Sequence, residues 1–358
     1  MSIILITVVG FLLTSAAVPS VIRLANSKNC LDRPGRRRMH KVPTPTWGGV
    51  ALFLGAVPAL VLAGMDRTMA PWLLSFSCIV LIGFLDDRRP LPPSIKIGGM
   101  VAAAAIVVLG DNITIIHLGN YGALGDIDLS RFSVPFTIFC IVGVTNAINL
   151  LDGLNGLAGG VSLLGFLCMG GAALLAGNLS MAVLCFGLAG AIVAFLRFNF
   201  PRAKIFMGDT GSLFLGFTLA VTAVILTQDV RYPVDPMFPV LVLFLPIYDA
   251  LRVMLVRLAS MRHPFHADKG HFHHLLVRRG FTSRTAVVFL WCAAGIFGLT
   301  AFVLAGRSSL YYLVAVLVAT MLLSVVTELL IWRQRRYVRQ VGSELRRRLL
   351  SSRGTYLL

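Results

Sequence analysis

The sequence predicts an all-α polytopic membrane protein with about eleven transmembrane helices, an external N-terminus and a cytoplasmic C-terminus. Hydrophobic residues make up 57% of the 358 residues and charged residues only 13%, which is far from the balance of a soluble globular domain. Apolar segments close to membrane-spanning length also recur from end to end. We therefore expect one transmembrane bundle over residues 1–332 and a basic tail over residues 333–358 that lies on the inner leaflet.

The apolar segments define the elements of this bundle. They cover residues 3–24, 47–65, 70–85, 97–110, 132–151, 157–177, 179–197, 210–228, 237–258, 286–305 and 310–332. The first segment has no basic residue before it and several just after it, which predicts a retained helix and not a cleaved signal peptide. Between the fourth and fifth segments, alternating apolar residues and glycine turns predict a short β-hairpin.

The Lys and Arg residues predict the orientation of the chain. The connections on one side carry only four of the 32, and the other 28 fall on the opposite side. The four are Arg67, Arg131, Arg231 and Arg307. The positive-inside rule makes the basic side cytoplasmic, in the inner (cytoplasmic) membrane. The net charge of +17 follows from this topology and from attraction to anionic membrane lipids, so it requires no nucleic-acid partner.

Unusual polar clusters all fall on the predicted cytoplasmic side, in or beside loops over residues 25–46, 86–96, 198–210 and 259–285. One of them, TNAINLLDGLNGLAGG, closes the fifth predicted span and has four polar residues at spacings of three: Asn146, Asn149, Asp152 and Asn155. On one continuous helix these side chains form a single polar wall. Polar groups at membrane depth are normally kept for a site, although hydrogen bonds between packed helices are the alternative. The carboxylate favours a site.

An acidic pair follows the third span. Asp86 and Asp87 are adjacent, so on a helix their side chains diverge by about 100°. One could hold a cation while the other contacts a second ligand or a basic side chain. Helix-end capping and pairing with Arg88, Arg89 or Lys96 are the alternative.

Asp209 lies in the sequence MGDTGS, between Gly208 and Gly211 and just before an apolar span. Such a loop can present backbone N–H groups and a helix N-terminus to a phosphate, with the carboxylate on Mg²⁺. An ordinary turn with an N-cap fits the same residues.

The loop before the tenth span holds five of the seven histidines: His263, His266, His271, His273 and His274. Histidine is a frequent zinc ligand. No cysteine lies near, however, and several arginines crowd the loop, which favours contact with phosphate over a metal site. In the preceding span, Asp249 is expected to form an ion pair with Arg252 on the next turn.

Aspartates, basic residues and glycine-rich loops at one membrane face suit Mg²⁺-assisted transfer of a phosphate group between a cytosolic nucleotide and a lipid. Phosphoryl transfer needs positioning and charge neutralisation more than covalent help. Two other classes stay open: a lipid-linked-sugar flippase or transporter, and a metal-sensing membrane protein. A transporter would place its polar residues near the midplane in repeated halves, and a metal sensor leaves the aspartate motifs unused.

Five motifs occur in order between residues 32 and 284: DRPGRRRMHKVPTPTWGG, FLDDRRPL with Lys96 after it, NAINLLDGLNGLAGG, IFMGDTGS and HPFHADKGHFHHLLVRRGFTSR. Together they resemble the polyprenyl-phosphate N-acetylhexosamine-1-phosphate transferases, in particular the WecA-like branch of undecaprenyl-phosphate GlcNAc-1-phosphate transferases. The resemblance implies an eleven-span bundle with a cytosolic site. The chain departs from the bacterial pattern at Asn155, where relatives usually carry Asp, so its sugar or nucleotide preference is less defined.

The resemblance also implies a reaction. Undecaprenyl phosphate attacks the sugar-linked phosphate of a UDP-N-acetylhexosamine such as UDP-GlcNAc, releasing UMP and initiating a lipid-linked cell-surface glycan. The implied cofactor is Mg²⁺, with Mn²⁺ as a substitute, and a homodimer is one implied assembly.

Roles for individual residues follow by motif match. The implied metal ligands are Asp209 and Asp87. The implied catalytic residues are Asp86, Asp87, Asp152, His271, His273 and His274. The implied substrate-binding residues are His40, Lys41, Lys96, Asn146, Asn149 and Asn155.

Overall fold

The computed structural model describes residues 2–33, 42–65, 67–229, 231, 234–261 and 270–329. Its helices are α1 Ile3–Ser27, α2 Gly48–Gly64, α3 Met69–Arg88, α4 Pro93–Gly110, α5 Ser133–Leu151, α6 Leu157–Ala176, α7 Leu179–Asn199, α8 Gly208–Gln228, α9 Phe238–Val242, α10 Phe244–Ala259, α11 Phe272–Arg278, α12 Ser283–Val303 and α13 Ser309–Leu329. Two antiparallel strand pairs join them, β1 Leu31–Asp32 with β2 Thr44–Pro45 and β3 His117–Asn120 with β4 Asp126–Asp128. Single 3-10 turns cover Gly122–Leu124 and Ser130–Phe132.

This architecture confirms an all-α polytopic membrane protein. Within the described residues, nine helices are long and apolar enough to cross a membrane. Two predicted spans take another form: α2 has only 17 residues, and the predicted span over residues 237–258 is divided into α9 and α10 at Leu243. The β3–β4 pair confirms the predicted hairpin, and the predicted tail over residues 333–358 lies outside the described residues.

Helix α8 lies at the centre of the bundle. It is apolar on all sides, and α2, α3, α5 and α6 pack around it, so nearly all of its side chains are buried. Phe214 and Phe217 make edge-to-face contacts with Phe76 of α3, at ring-centroid distances of 6.3 and 5.3 Å. The start of α8 is therefore held at a fixed place relative to its neighbours.

Glycines set how closely the helices approach. A β-carbon at Gly190 of α7 would lie 2.0 Å from the Thr7 carbonyl oxygen of α1, and one at Gly83 of α3 would lie 2.5 Å from Thr210 Cα. Close backbone packing of this kind is a main source of helix association where lipid is the solvent. At Gly83 it brings the last turn of α3, with its two aspartates, against the start of α8.

The four regularly spaced polar residues do not lie on one continuous helix, so that prediction is wrong. Asn146 and Asn149 lie on α5, whereas Asp152 and Asn155 lie in the turn between α5 and α6. Gly156 has a φ of +81° at the start of α6, a conformation that glycine adopts without steric cost. The chain therefore changes direction where the spacing alone predicts a continuing helix.

The two ends of the bundle carry different structures. At one end, called the site end below, the C-termini of α3 and α5 meet the N-termini of α4 and α8. The opposite end, called the hairpin end, carries β3 and β4. Gln228, the last residue of α8, fastens this hairpin by accepting the Ile116 and His117 N–H groups at 2.8 and 3.1 Å and donating to the His117 carbonyl at 3.0 Å.

Candidate active site

Asp87 connects α3 to the start of α8. Its carboxylate accepts the backbone N–H groups of Asp209 at 2.7 Å and Thr210 at 3.0 Å, and the Thr210 hydroxyl at 2.5 Å. A helix leaves these N–H groups without an intrahelical partner, and negative charge is favourable at its N-terminus. Gly208 makes the approach possible, because a β-carbon there would lie 2.5 Å from an Asp87 oxygen. Asp87 thus fixes the position of Asp209.

Asp86 and Asp209 share the ammonium group of Lys96. The Lys96 Nζ atom lies 3.2 Å from Asp86 Oδ2 and donates a hydrogen bond to Asp209 Oδ2. Asp86 also accepts the Leu91 N–H at 2.6 Å. The adjacent aspartates therefore have different partners, as their predicted divergence requires. Because two carboxylates face one ammonium, the group keeps a negative charge that attracts a further cation.

Asn149 orients Asp209 from the other side. Its Nδ2 atom donates to Asp209 Oδ1 at 2.6 Å and to Ser212 Oγ at 2.8 Å. The two oxygens of Asp209 are thus held by residues of two helices, Asn149 on α5 and Lys96 on α4. Such support from several rigid elements preorganises a carboxylate for binding or catalysis.

The turn between α5 and α6 is fastened to the connection between α7 and α8. Asn199, buried at the end of α7, accepts the Gly156 N–H at 2.6 Å and donates to the Ile205 carbonyl at 2.8 Å. Asn155 donates to the Pro201 carbonyl at 3.3 Å. The sequence patterns did not indicate Asn199. A usable signal was its place at the end of an apolar span, where a buried amide is costly unless it is hydrogen-bonded.

A cavity of about 930 Å³ opens at the site end, a volume in the upper part of the range for small-molecule sites. The predicted site residues that line it are Asp86, Asp87, Asn149, Asp152, Asn155, Asp209 and His274. Further lining residues to which the sequence assigned no role include Arg33, Phe206 and Ser283, which lie within the quoted motifs, and Asn29 and Asn199, which lie outside them. The cavity therefore joins residues from the beginning, the middle and the end of the bundle.

Asp152 lies in the turn beside this group. Removal from water and, second, the negative charge of Asp209 raise the pKa of Asp152 to about 7. Near neutral pH its carboxyl group is therefore divided between the acid and the carboxylate. A group in that condition can either donate or accept a proton.

The three predicted histidines have different surroundings. His271 is buried, and its Nδ1 atom lies 2.8 Å from Asp249 Oδ2. His273 is also buried and stacks on His271 at a centroid distance of 5.9 Å. Burial, together with the neighbouring His274, lowers the pKa of His273 to about 3, so this ring is neutral at pH 7. Of the three, His274 is the one that lines the cavity.

The other predicted site residues are placed as follows. Asn146 lies on α5 one turn before Asn149 and is not among the residues that line the cavity. Lys96 reaches the site through its ion pairs with Asp86 and Asp209. His40 and Lys41 lie outside the described residues, as do His263 and His266. The predicted pairing of Asp249 with Arg252 is confirmed, at 3.3 Å.

The donor set at the site end fits a magnesium ion. Asp86 and Asp209 each direct an oxygen atom to the Lys96 ammonium, so two carboxylates converge here, and Mg²⁺ is usually held by one or two carboxylates with phosphate oxygens and water around it. In the part of the chain that the structure describes, no three or more His, Cys, Asp or Glu side chains form a group that could hold a metal ion. The carboxylates alone would supply too few ligands, so phosphate oxygens of a bound substrate would have to complete the coordination of the cation. Both oxygens of Asp87 already bind the start of α8.

Fold and cavity together define a class: multi-pass membrane proteins with a charged site at one end of a helical bundle. The family model described as "Glycosyl transferase family 4" matches residues 69–227, which run from α3 to α8 and include most of the acidic residues of the cavity.

Similar proteins carry consistent names. A probable undecaprenyl-phosphate N-acetylglucosaminyl 1-phosphate transferase of Bacillus subtilis (strain 168) is 29% identical over 323 residues, which cover 90% of each chain. The undecaprenyl-phosphate alpha-N-acetylglucosaminyl 1-phosphate transferases of Escherichia coli O157:H7 and Salmonella typhi are 30% and 32% identical, and each alignment covers 80% of this chain and 79% of the relative. The chain belongs to this family of transferases, which confirms the resemblance seen in the motifs.

Proposed function

We propose that the protein transfers a sugar 1-phosphate, with GlcNAc 1-phosphate as the first candidate, from a UDP-sugar to undecaprenyl phosphate. The observation that supports this most directly is the cavity at the end of the membrane helices, where Asp86, Lys96 and Asp209 meet. A lipid phosphate at the membrane boundary and a water-soluble nucleotide sugar can both reach such a place. The names of the relatives supply the acceptor and the sugar.

The reaction exchanges one phosphate bond for another. An oxygen of the lipid phosphate attacks the sugar-linked phosphorus atom and forms a new P–O bond. The bond from that phosphorus to the bridging oxygen breaks, and its electron pair leaves with UMP. Because a phosphate monoester has a second pKa of about 6, the acceptor is largely dianionic at pH 7 and needs little help from a base.

Each residue of the group has a distinct part in this proposal. Lys96 brings positive charge to the phosphate oxygens, and Asp87 and Asn149 hold Asp209 in place. Asp209 and Asp86 would hold Mg²⁺, or Mn²⁺ instead, which when bound neutralises charge on the phosphate groups. His274 is in a position to contact the diphosphate or the sugar.

We also propose eleven spans, an external N-terminus and a site at the cytoplasmic face of the inner membrane. The short helix α2 and the divided α9–α10 segment would supply the two spans beyond the nine long helices of the described chain. The concentration of 28 of the 32 basic residues on one side supports the orientation. A cysteine in the loop over residues 263–274 and one next to Asp126 should be labelled from opposite sides of the membrane. Labelling from the same side would contradict this topology.

The transporter and metal-sensor alternatives are not favoured, because the relatives carry the names of transferases. The direct test uses purified protein in detergent with undecaprenyl phosphate, Mg²⁺ and UDP-GlcNAc labelled in the sugar. We expect the label to become extractable into organic solvent, with one UMP released for each labelled lipid. Label that stays in the aqueous phase, while an E. coli relative is active in the same assay, would overturn the proposal.

A further inference from the structure

A buried carboxylate outside the cavity binds the segment that carries the histidines. Asp249 lies on α10 and is only 1% exposed. Its Oδ1 atom accepts the Phe272 N–H at 3.0 Å, and its Oδ2 atom lies 2.8 Å from His271 Nδ1. Arg252, one turn further along α10, pairs with Asp249 and also donates to the Gly270 carbonyl. The start of α11 is thus attached to α10 at several points.

We propose that Asp249 is a positioning residue that fixes both the tautomer of His271 and the place of the histidine segment beside the cavity. The proposal rests on the transferase function proposed above. An ionised carboxylate can only accept hydrogen bonds, so the 2.8 Å contact requires a proton on His271 Nδ1. Nε2 then remains the acceptor of this ring, because the hydrogen bond made by one ring nitrogen sets the state of the other.

The effect of this attachment extends to the cavity wall. His273 stacks on His271 with an angle of 11° between the rings, and a β-carbon at Gly153 would lie 2.2 Å from His273 Nε2. Gly153 lines the cavity, as does His274, whose ring centroid is 4.2 Å from that of His273. A shift of His271 would therefore be passed on to the turn between α5 and α6.

The requirement for an acid at this position distinguishes positioning from simple helix capping. An asparagine at 249 would keep an oxygen for the Phe272 N–H and so preserve the cap. Its Nδ2 group would then donate to His271 Nδ1, which reverses the tautomer. Asp249→Asn thus keeps the shape of the contact with α11 and changes where the ring carries its proton. It also removes the negative charge opposite Arg252, which keeps its hydrogen bond to the Gly270 carbonyl.

A matched control exists at the hairpin end. Asp235 also binds a helix start, by accepting the Met237 N–H at 2.8 Å, and it accepts the Ser309 hydroxyl at 2.8 Å. A hydroxyl can either donate or accept a hydrogen bond, so Asp235→Asn can keep both contacts. The two substitutions are chemically identical, but only Asp249 has His271 and Arg252 as partners, and the His271→Gln background below separates the contribution of the histidine.

The experiment combines steady-state transfer with ¹⁵N NMR of histidine-labelled protein in detergent. In the wild type we expect His271 in the Nδ1–H form. In Asp249→Asn we expect the Nε2–H form. We also expect kcat to fall by about tenfold or more, with an almost unchanged KM for UDP-GlcNAc, because residues that only orient a site residue typically have effects of this size. Asp235→Asn should leave kcat and the His271 signal unchanged. In a His271→Gln background, Asp249→Asn should cause almost no further loss, because both changes remove the same interaction.

Three results would overturn the inference. One is an Nε2–H tautomer in the wild type, which needs no variant to fold. The second is an unchanged kcat in Asp249→Asn, and the third is an equal further loss of kcat in the His271→Gln background. An inactive wild type would instead contradict the proposed function, and the tautomer measurement would still test Asp249.

Discussion

At both ends of the bundle, side chains hold elements together by hydrogen-bonding to the backbone of another element. The two ends differ in how their charged side chains are arranged. At the hairpin end, neutral Gln228 and the single carboxylate of Asp235 find matching donors and acceptors. At the site end, five aspartates line one cavity, and Lys96 provides the ammonium group that two of them share. Like charges gathered in a partly dry place destabilise a fold. In the described part of the chain, carboxylates at the hairpin end have separate partners, such as Arg67 for Asp111 and Arg231 for Asp229. The crowding of carboxylates around the cavity therefore indicates a function there and a structural role at the other end.

The sharpest test of this contrast is Asp209→Asn. An amide is a much weaker ligand for Mg²⁺ than a carboxylate, and it cannot pair with the Lys96 ammonium as an ion. We expect the rate of transfer to fall by about a thousandfold or more, as when an enzyme loses a group that stabilises charge in the transition state. Excess Mg²⁺ should not restore the rate. The variant should fold and insert normally, as judged by gel filtration. Near-normal turnover would remove Asp209 from the metal site.

The next largest effect concerns the neighbouring aspartates. Asp86→Asn loses the charge that pairs with Lys96, and Asp87→Asn loses an acceptor at the start of α8. We expect both variants to be slower by about a hundredfold at every pH, because the acceptor phosphate is already ionised near pH 7 and both Asp87 oxygens are occupied by the start of α8. Full pH–rate profiles at saturating Mg²⁺ provide the measurement. Recovery of the wild-type rate only at alkaline pH would show that the replaced aspartate had been the base.

Substitutions of two glycines, one at each end of the bundle, are expected to have effects of intermediate size. Gly208 at the site end and Gly125 at the hairpin end have nearly equal φ angles, +69° and +68°. A β-carbon at Gly208 would lie 2.3 Å from the Thr46 carbonyl oxygen, whereas one at Gly125 has no neighbour within 4 Å. Gly125→Ala should cost only the backbone strain of a conformation, φ +68° and ψ −156°, that is essentially restricted to glycine, about 1–3 kcal/mol, without loss of kcat. Gly208→Ala should cost more and lower kcat as well, because α8 must move away from Asp87.

Thermal unfolding and steady-state rates measured on both glycine variants check this. Equal losses of stability, with full activity in Gly208→Ala, would mean that the close approach of Asp87 to α8 does not position the site.

The smallest expected effect is that of Asn155→Asp. The change removes the donor to the Pro201 carbonyl and places two oxygens opposite each other. Since Asn199 still holds the turn through Gly156, we expect only a few-fold loss of rate, shared by UDP-GlcNAc and its epimers, in line with the loss of one hydrogen bond. Competition assays with several UDP-sugars give the ratio of rates. A changed ratio would instead assign Asn155 to substrate recognition.

The sequence predicted the membrane helices better than it predicted local geometry. The apolar segments are long, so the helices followed from hydropathy. The spacing of Asn146, Asn149, Asp152 and Asn155 predicts one helix, because periodicity carries no information about where a helix ends when the next one begins after a turn of only five residues. Of the tertiary contacts at the site, the sequence indicated the pairing of Asp86 with Lys96 as one alternative, but not the contacts of Asp87 or Asn149 with the start of α8. Nothing local to Asp87 indicates that it binds the start of a helix more than a hundred residues away.

The separation of Asp87 from the start of α8 in the sequence determines when the contact between them can form during synthesis of the chain. Asp87 and Asp209 are 122 positions apart in the chain. At a synthesis rate of about 5–20 residues per second, the carboxylate is made roughly 6–24 seconds before the helix start that it binds. Asp87 lies one residue before the end of α3, next to Arg88, so during this interval it can stay at the boundary between lipid and water. The contact that fixes the site can therefore form only after the start of α8 has been made.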